Sequence, residues 1–211
     1  MIGDNDRNLI IKEFQKLKDP VTIINFTQRL ECQFCQPTEM LLREVAATSD
    51  SINLEIHNFI EEKSLAGQYK IDKIPATIIL GEKDYGIRFY GIPSGYEFSS
   101  LIEAIIDVST GKTDLTKESK EKLLQIKNPV HIQVFVTPTC PYCQTAVRTA
   151  HKMAVESEKI TADMIEVTEF PHLGQKYSVM AVPKTVINDR VNFEGAIPED
   201  QFIDRVAEAL A

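Results

Sequence analysis

Apolar positions along this chain fall into short runs and stripes separated by turn residues. Near the start, Leu9, Ile10, Phe14 and Leu17 recur at helical spacing, and Pro20 ends the stripe. Residues 21–26 read as a buried strand. Met40, Leu41, Val45 and Ala46 mark one face of a helix, and Ile52, Leu54 and Ile56 alternate as a second strand. A short helix is predicted over 59–66, with Gly67 as its C-cap. Segments 77–80 and 85–89 predict a hairpin. A closing helix over 96–108 turns Phe98, Leu101, Ile102 and Ile105 inward.

The same order then returns. Helix 117–126, strand 130–136, helix 141–156, strand 162–167, short helix 171–177, hairpin 185–188 with 190–193, and helix 198–210 repeat it element by element. The pattern βαβαββα with a leading helix calls for an α/β fold, a central mixed sheet flanked by helices, in each copy. Four features recur in register. Cys32 and Cys35 reappear 108 residues later as Cys140 and Cys143. Lys73-Ile74-Pro75-Ala76-Thr77-Ile78-Ile79 reappears at the same offset as Ala181-Val182-Pro183-Lys184-Thr185-Val186-Ile187. The strand beginning at Pro20 matches that at Pro129 with one residue of slippage, and Gly91-Ile92-Pro93 corresponds to Gly195-Ala196-Ile197-Pro198. Such agreement marks a duplicated domain. The joint falls in 109–114, giving domains 1–112 and 113–211, and its shortness predicts that they pack together.

Length agrees with this reading, since 211 residues suffice for two compact domains of about 100 residues. Hydrophobic residues make up 43% and charged residues 26%, which excludes a disordered chain. The net charge of −8 opposes binding to phosphate backbones, and neither half is basic, so no nucleic-acid partner is expected. No apolar run approaches the ~20 residues of a spanning helix, so no membrane partner is expected either. The polar start Met1-Ile2-Gly3-Asp4-Asn5-Asp6-Arg7 lacks the basic and apolar parts of a secretory signal, and a cytoplasmic location is the expectation.

The four cysteines carry the chemistry. All sit in two pairs, Cys32-Gln33-Phe34-Cys35 and Cys140-Pro141-Tyr142-Cys143. A bridge within such a pair closes a four-residue loop and stabilises by only about 2 kcal/mol, so it is better suited to reversible redox chemistry than to stapling a fold. Each pair lies between a buried strand and a helix start. Pro141 suits the first helical turn, which leaves Cys140 near the N-cap, where unpaired N–H groups and the helix dipole favour thiolate. Cys32 and Cys35 are expected to be equivalent. The reaction class is thiol–disulfide exchange through a mixed disulfide. Pro75 and Pro183 each open a strand. A cis bond after Ile74 and Val182 would bend the chain beside the cysteines and leave the backbones of Ile74 and Val182 free to pair with an extended substrate.

Each half resembles a thioredoxin-fold domain. The tandem of Cys-Gln-Phe-Cys and Cys-Pro-Tyr-Cys is similar, over essentially the whole chain, to the glutaredoxin-like protein disulfide oxidoreductases. The resemblance implies two tandem thioredoxin-fold domains, attack by Cys32 and Cys140, resolution by Cys35 and Cys143, cis-prolines at Pro75 and Pro183, and a more active second site. It implies no cofactor and no metal, with protein disulfides and dithiols as substrates. The sequence departs from the pattern at Phe26 and Val134, where thioredoxins hold a buried aspartate six residues before the first cysteine. Glu55, His57 and Glu166 are the candidates for the missing proton acceptor. Ala181 replaces the threonine of glutathione-binding glutaredoxins, and only Gly195 stands for their double glycine. A thioredoxin-reductase-like flavoprotein is therefore the expected electron donor.

Two other readings compete. A structural zinc site would use four thiolates, but zinc modules separate their pairs by about 15–20 residues, whereas 104 lie between Cys35 and Cys140. The second is an electron-delivery module of the kind found at the front of flavin-dependent peroxiredoxin reductases, passing electrons from a flavoprotein to a peroxiredoxin-type partner. His131, His151 and His172 are expected to be surface or packing residues, and Glu61-Glu62 a solvated run.

Overall fold

The computed structural model describes residues 2–210. Its first copy runs α1 (Asp4–Glu13), a 3-10 turn, β1 (Val21–Thr27), α2 (Cys35–Ala46), β2 (Ile52–Asn58), α3 (Lys63–Gln68), β3 (Ala76–Leu80), β4 (Asp84–Tyr90) and α4 (Glu97–Thr110). The second runs α5 (Lys117–Leu124), β5 (Val130–Val136), α6 (Cys143–Glu156), β6 (Ile160–Glu166), α7 (Pro171–Lys176), β7 (Lys184–Ile187), β8 (Val191–Glu194) and α8 (Glu199–Glu208). The polar stretch between copies is short because α4 extends through Ser109 and Thr110 to a left-handed cap at Gly111. Thr116 then caps α5, its hydroxyl accepting the Ser119 N–H at 3.2 Å.

The eight strands form one continuous sheet in the order β2-β1-β3-β4-β6-β5-β7-β8. Within each copy the central strand pairs parallel on one side (β1 with β2, β5 with β6) and antiparallel on the other (β1 with β3, β5 with β7). The copies do not keep separate sheets. β4 pairs parallel with β6, placing Ile87 opposite Ala162 and Tyr90 opposite Ile165. This pairing removes one exposed edge from each copy and leaves β2 and β8 as the free edges. α4 packs along α6 across the same junction, and Phe89 lies edge-on to the His151 ring at 4.8 Å.

Three local expectations change. Met40 is 47% exposed; the inward face of α2 is Thr38, Leu41, Leu42 and Val45, and the Met40 side of the helix borders an open groove. Gly67 lies inside α3, and the left-handed residue that ends this turn is Lys70. The helix after each cysteine pair begins at Cys35 and Cys143, so Phe34 and Tyr142 are its N-caps. Pro141 and Tyr142 form a turn closed by the Cys143 N–H on the Cys140 carbonyl at 3.4 Å. Among the described residues no helix is long and apolar enough to cross a membrane.

Candidate redox sites

Both cysteine pairs lie at the same end of the sheet, where β1 and β5 finish. Cys32 and Cys35 form a disulfide with Cα atoms 5.4 Å apart, and Cys140 and Cys143 one with Cα atoms 5.5 Å apart. In each pair the helix carries the second cysteine inward, so Cys35 and Cys143 are fully buried and only Cys32 and Cys140 reach the surface side. The first cysteines precede their helices by three residues, on the axis from which unpaired N–H groups emerge, and that field lowers the cost of a thiolate.

Ile74–Pro75 and Val182–Pro183 are cis. The Val182 carbonyl oxygen lies 3.7 Å from Cys140 Sγ. The prolines are anchored from behind, Pro75 accepting the Gly91 N–H at 2.9 Å and Pro183 the Gly195 N–H at 2.8 Å. Among the described residues the N–H groups of Ile74 and Val182 have no hydrogen-bond partner. Each is a backbone donor of a kind that an extended segment can pair with.

The surroundings of the two pairs differ. Beside Cys32 runs an open groove of about 1320 Å³, lined by Leu30, Gln36, Met40, Arg43 and Ile56 among others. Cys140 is 7% exposed, because segment 91–96 of the first copy covers its loop. The Tyr96 N–H donates to the Pro138 carbonyl at 3.1 Å, and a side chain at Gly95 would stand 2.1 Å from that oxygen. Gly91, with φ +90°, packs so closely that a Cβ would meet Glu166 at 2.7 Å. Two glycines are thus what allows the first copy to approach the second site.

From this cover α4 descends along α6. Arg148, buried on α6, donates from Nε to Glu103 at 2.9 Å and from Nη2 to Asp107, and Gln144 donates to Glu103 at 3.3 Å. These contacts lay the first turn of α4 against the first turn of α6, and Glu97 sits there, 2% exposed. Neither of its carboxyl oxygens makes a well-formed hydrogen bond among the described residues. Burial pushes Glu97 up to about 7, with Ser100 and Arg148 offsetting only part of the loss of water. A second carboxyl, Glu169, accepts the Ile92 N–H at 2.7 Å while its other oxygen is buried without a partner. Burial, reinforced by the charge of Glu166, brings it also to about 7.

The three proton-acceptor candidates read from sequence are otherwise engaged. Glu166 is buried at the end of β6, but it accepts the Thr168 hydroxyl at 2.5 Å and the Glu169 N–H at 2.9 Å. His57 lies between Glu62 at 2.7 Å and Glu55 at 3.2 Å, against the Phe26 ring. Burial opposes its charge, but the two carboxylates outweigh it and hold His57 above its usual value. Glu62 also accepts the Asn58 N–H, so it is a loop clamp as well as a surface acid. Of the other histidines, His131 bonds Asp163 at 2.6 Å, His151 is fully buried and His172 is exposed. Glu97 was not singled out from sequence; its signal was an acid opening a helix whose inward face is otherwise apolar.

The thioredoxin domain family model matches residues 130–208. The chain is 33% identical over 150 residues to the F component of alkyl hydroperoxide reductase from Staphylococcus epidermidis, covering 70% of this chain and 27% of that protein. It is 27% identical over 168 residues to a Bacillus subtilis NADH dehydrogenase, covering 79% and 30%. The chain thus spans a third or less of the length of these curated relatives. Among solved structures, a protein disulfide oxidoreductase from Aeropyrum pernix superposes with TM-score 0.93 at 29% identity, over 99% of this chain and 94% of that one. The N-terminal domain of the alkyl hydroperoxide reductase AhpF from Enterococcus faecalis superposes with TM-score 0.91 at 25% identity, over 98% and 100%.

Proposed function

The chain belongs to the thioredoxin-fold family of protein disulfide oxidoreductases, and we propose that it passes electron pairs between protein thiols and disulfides at two dithiol sites. The observation that carries this reading is the recurrence, in each copy, of a disulfide-bonded Cys-x-x-Cys with a fully buried second sulfur and of a cis-proline preceded by an unpartnered N–H, with the Val182 carbonyl 3.7 Å from Cys140 Sγ at the second site. Cys140 and Cys32 attack. Cys143 and Cys35, sealed from clients, resolve. Ile74, Pro75, Val182 and Pro183 seat an extended client strand at each site. The working division of the chain is 1–112 and 113–211, with one site in each part.

At the second site the proton and electrons balance as follows. The Cys140 thiolate attacks a client disulfide, the Sγ–S bond forms, and one client thiolate leaves. The Glu97 carboxylate, directly or through water, takes the proton of Cys143. The new thiolate attacks Cys140 Sγ, closing the internal disulfide and expelling the second client thiolate, which recovers the proton. A carboxyl that titrates near neutrality suits both directions of this transfer.

A cytoplasmic flavoprotein reductase is the proposed electron donor. The likeness over full length to the N-terminal domain of AhpF favours a second use of the same chemistry, delivery of electrons from such a flavoprotein to a peroxiredoxin-type acceptor. Insulin reduction by single variants tests the reading. Cys140→Ser is expected to lose more activity than Cys32→Ser, and the double variant to lose all of it. Undiminished reduction by the double variant would remove both sites from the mechanism.

A further inference from the structure

The interface that joins the two copies has a counterpart on the outside of the molecule, and that counterpart is open. In the second copy, Gln144, Arg148 and His151 of α6, Glu166 and Glu169 at the end of β6, and Pro138 in the site loop form one surface. The first copy covers it with β4, segment 91–96 and α4. Moved back by the repeat offset of 108, these positions become Gln36, Met40 and Arg43 of α2, Asn58 and Glu61 after β2, and Leu30. All six line the groove beside Cys32. There Leu30, Met40 and Ile60 are 80%, 47% and 55% exposed, whereas Arg148, at the place of Met40, is buried under the first copy.

The covering element also has a free counterpart. β8 is the other sheet edge, as β4 is the edge that meets β6. Gly195 has φ +86° and follows β8 as Gly91, with φ +90°, follows β4; where Gly91 packs on Glu166, Gly195 meets nothing within 4 Å. α8 follows with Asp204, Arg205, Ala207 and Glu208 exposed; Asp204 pairs with Lys122 and Glu208 with Arg205, and Ala207 stands, relative to Gly195, where Glu103 of α4 stands relative to Gly91. Both surfaces of one interface are therefore present, unoccupied, at opposite ends of the chain.

We propose that the groove beside the first cysteine pair receives the β8–α8 end of a second copy of this chain. The sheet then continues from β8 of one molecule to β2 of the next, repeating the contact that already joins the copies within one. Such a contact is head-to-tail and does not close on itself, so a dimer is the first member of an open series. Docking lowers the exposure of Cys32 towards that of Cys140.

Sedimentation velocity of the full chain, with both disulfides intact, tests this from micromolar to millimolar concentration. The average mass is expected to rise above that of one chain. Met40→Glu puts a charge into the apolar part of the groove that docking would desolvate and should weaken association by about tenfold or more. Met40→Arg with Ala207→Glu transplants the Arg148–Glu103 pair to the contact between molecules and should tighten it beyond either single change. All three substitutions lie at exposed positions, so the fold is retained. A single-chain mass for the unaltered protein over the whole range overturns the proposal. So does association that ignores these substitutions, or a client peptide that fills the groove while the chain stays monomeric.

Discussion

Cys32 stands at the head of an open groove, while Cys140 lies under a segment donated by the other copy. The turn, the buried second cysteine and the cis-proline are shared, so the contrast comes from what each helix meets on its outer side. α2 presents Glu39, Met40 and Arg43 to solvent, whereas the equivalent Val147, Arg148 and His151 of α6 are buried against β4 and α4. Duplication therefore produced two sites of one chemistry in two environments. The segment that covers the second site leads into α4, whose first residue, Glu97, is buried with neither carboxyl oxygen in a well-formed hydrogen bond among the described residues. Burying a carboxyl in this way costs stability.

The contrast can be broken most severely at Arg148. Arg148→Ala leaves the largely buried Asp107 without its ion-pair partner, while the half-exposed Glu103 keeps Gln144, and should cost about 3 kcal/mol. The equivalent Met40→Ala, on the open face of α2, should cost well under about 1 kcal/mol. Thermal unfolding of the two variants measures the difference, and equal losses would mean that the junction does not hold the copies together.

Glu97→Gln sharpens the comparison in stability and rate together. The folded carboxyl titrates near 7 against 4.5 for an ordinary one, so the folded chain binds the proton more tightly and loses stability as pH rises from 4.5 through 7. The Gln variant lacks that fall. It should match the unaltered chain below pH 4.5 and exceed it above pH 7, by up to about 3 kcal/mol. Exchange at the second site should slow by about 100-fold at neutral pH, the scale of one general base, while the first site is unchanged. Denaturant unfolding across pH and single-turnover reduction of a client read the two effects.

The smallest expected effect is at His57. Its value is raised, so the stability it adds is present below its unfolded value near 6.5 and is lost as pH rises through the folded one. His57→Gln should cost less than about 1 kcal/mol at pH 5.5 and nothing at pH 8.5. A cost that grew with pH would contradict the assigned partners Glu55 and Glu62.

Much of this was legible in the sequence because its signals are local. The cysteine spacing, the prolines 40 residues on and the alternation of β2 depend on neighbours in the chain. The fusion of the two sheets was not legible, since pairing between edge strands leaves no period of its own. Nor did the second covered side of α6 leave a trace: the helix buries Arg148 and His151 along with its apolar residues, and its sequence is as amphipathic as that of α2. The burial of Glu97 was not legible either, because it depends on how α4 of the first copy packs against the second.

A site-resolved redox titration tests the central claim most directly. The chain and its Glu97→Gln variant are equilibrated in graded thiol/disulfide buffers from pH 5.5 to 8.5, alkylated, and each Cys-x-x-Cys peptide is read by mass. Two two-electron transitions are predicted, with the second-site midpoint bending against pH near 7 and the bend absent in Glu97→Gln, while the first site is identical in both proteins. Cysteines that stay reduced throughout, or a variant that shifts both sites or neither, would contradict the account.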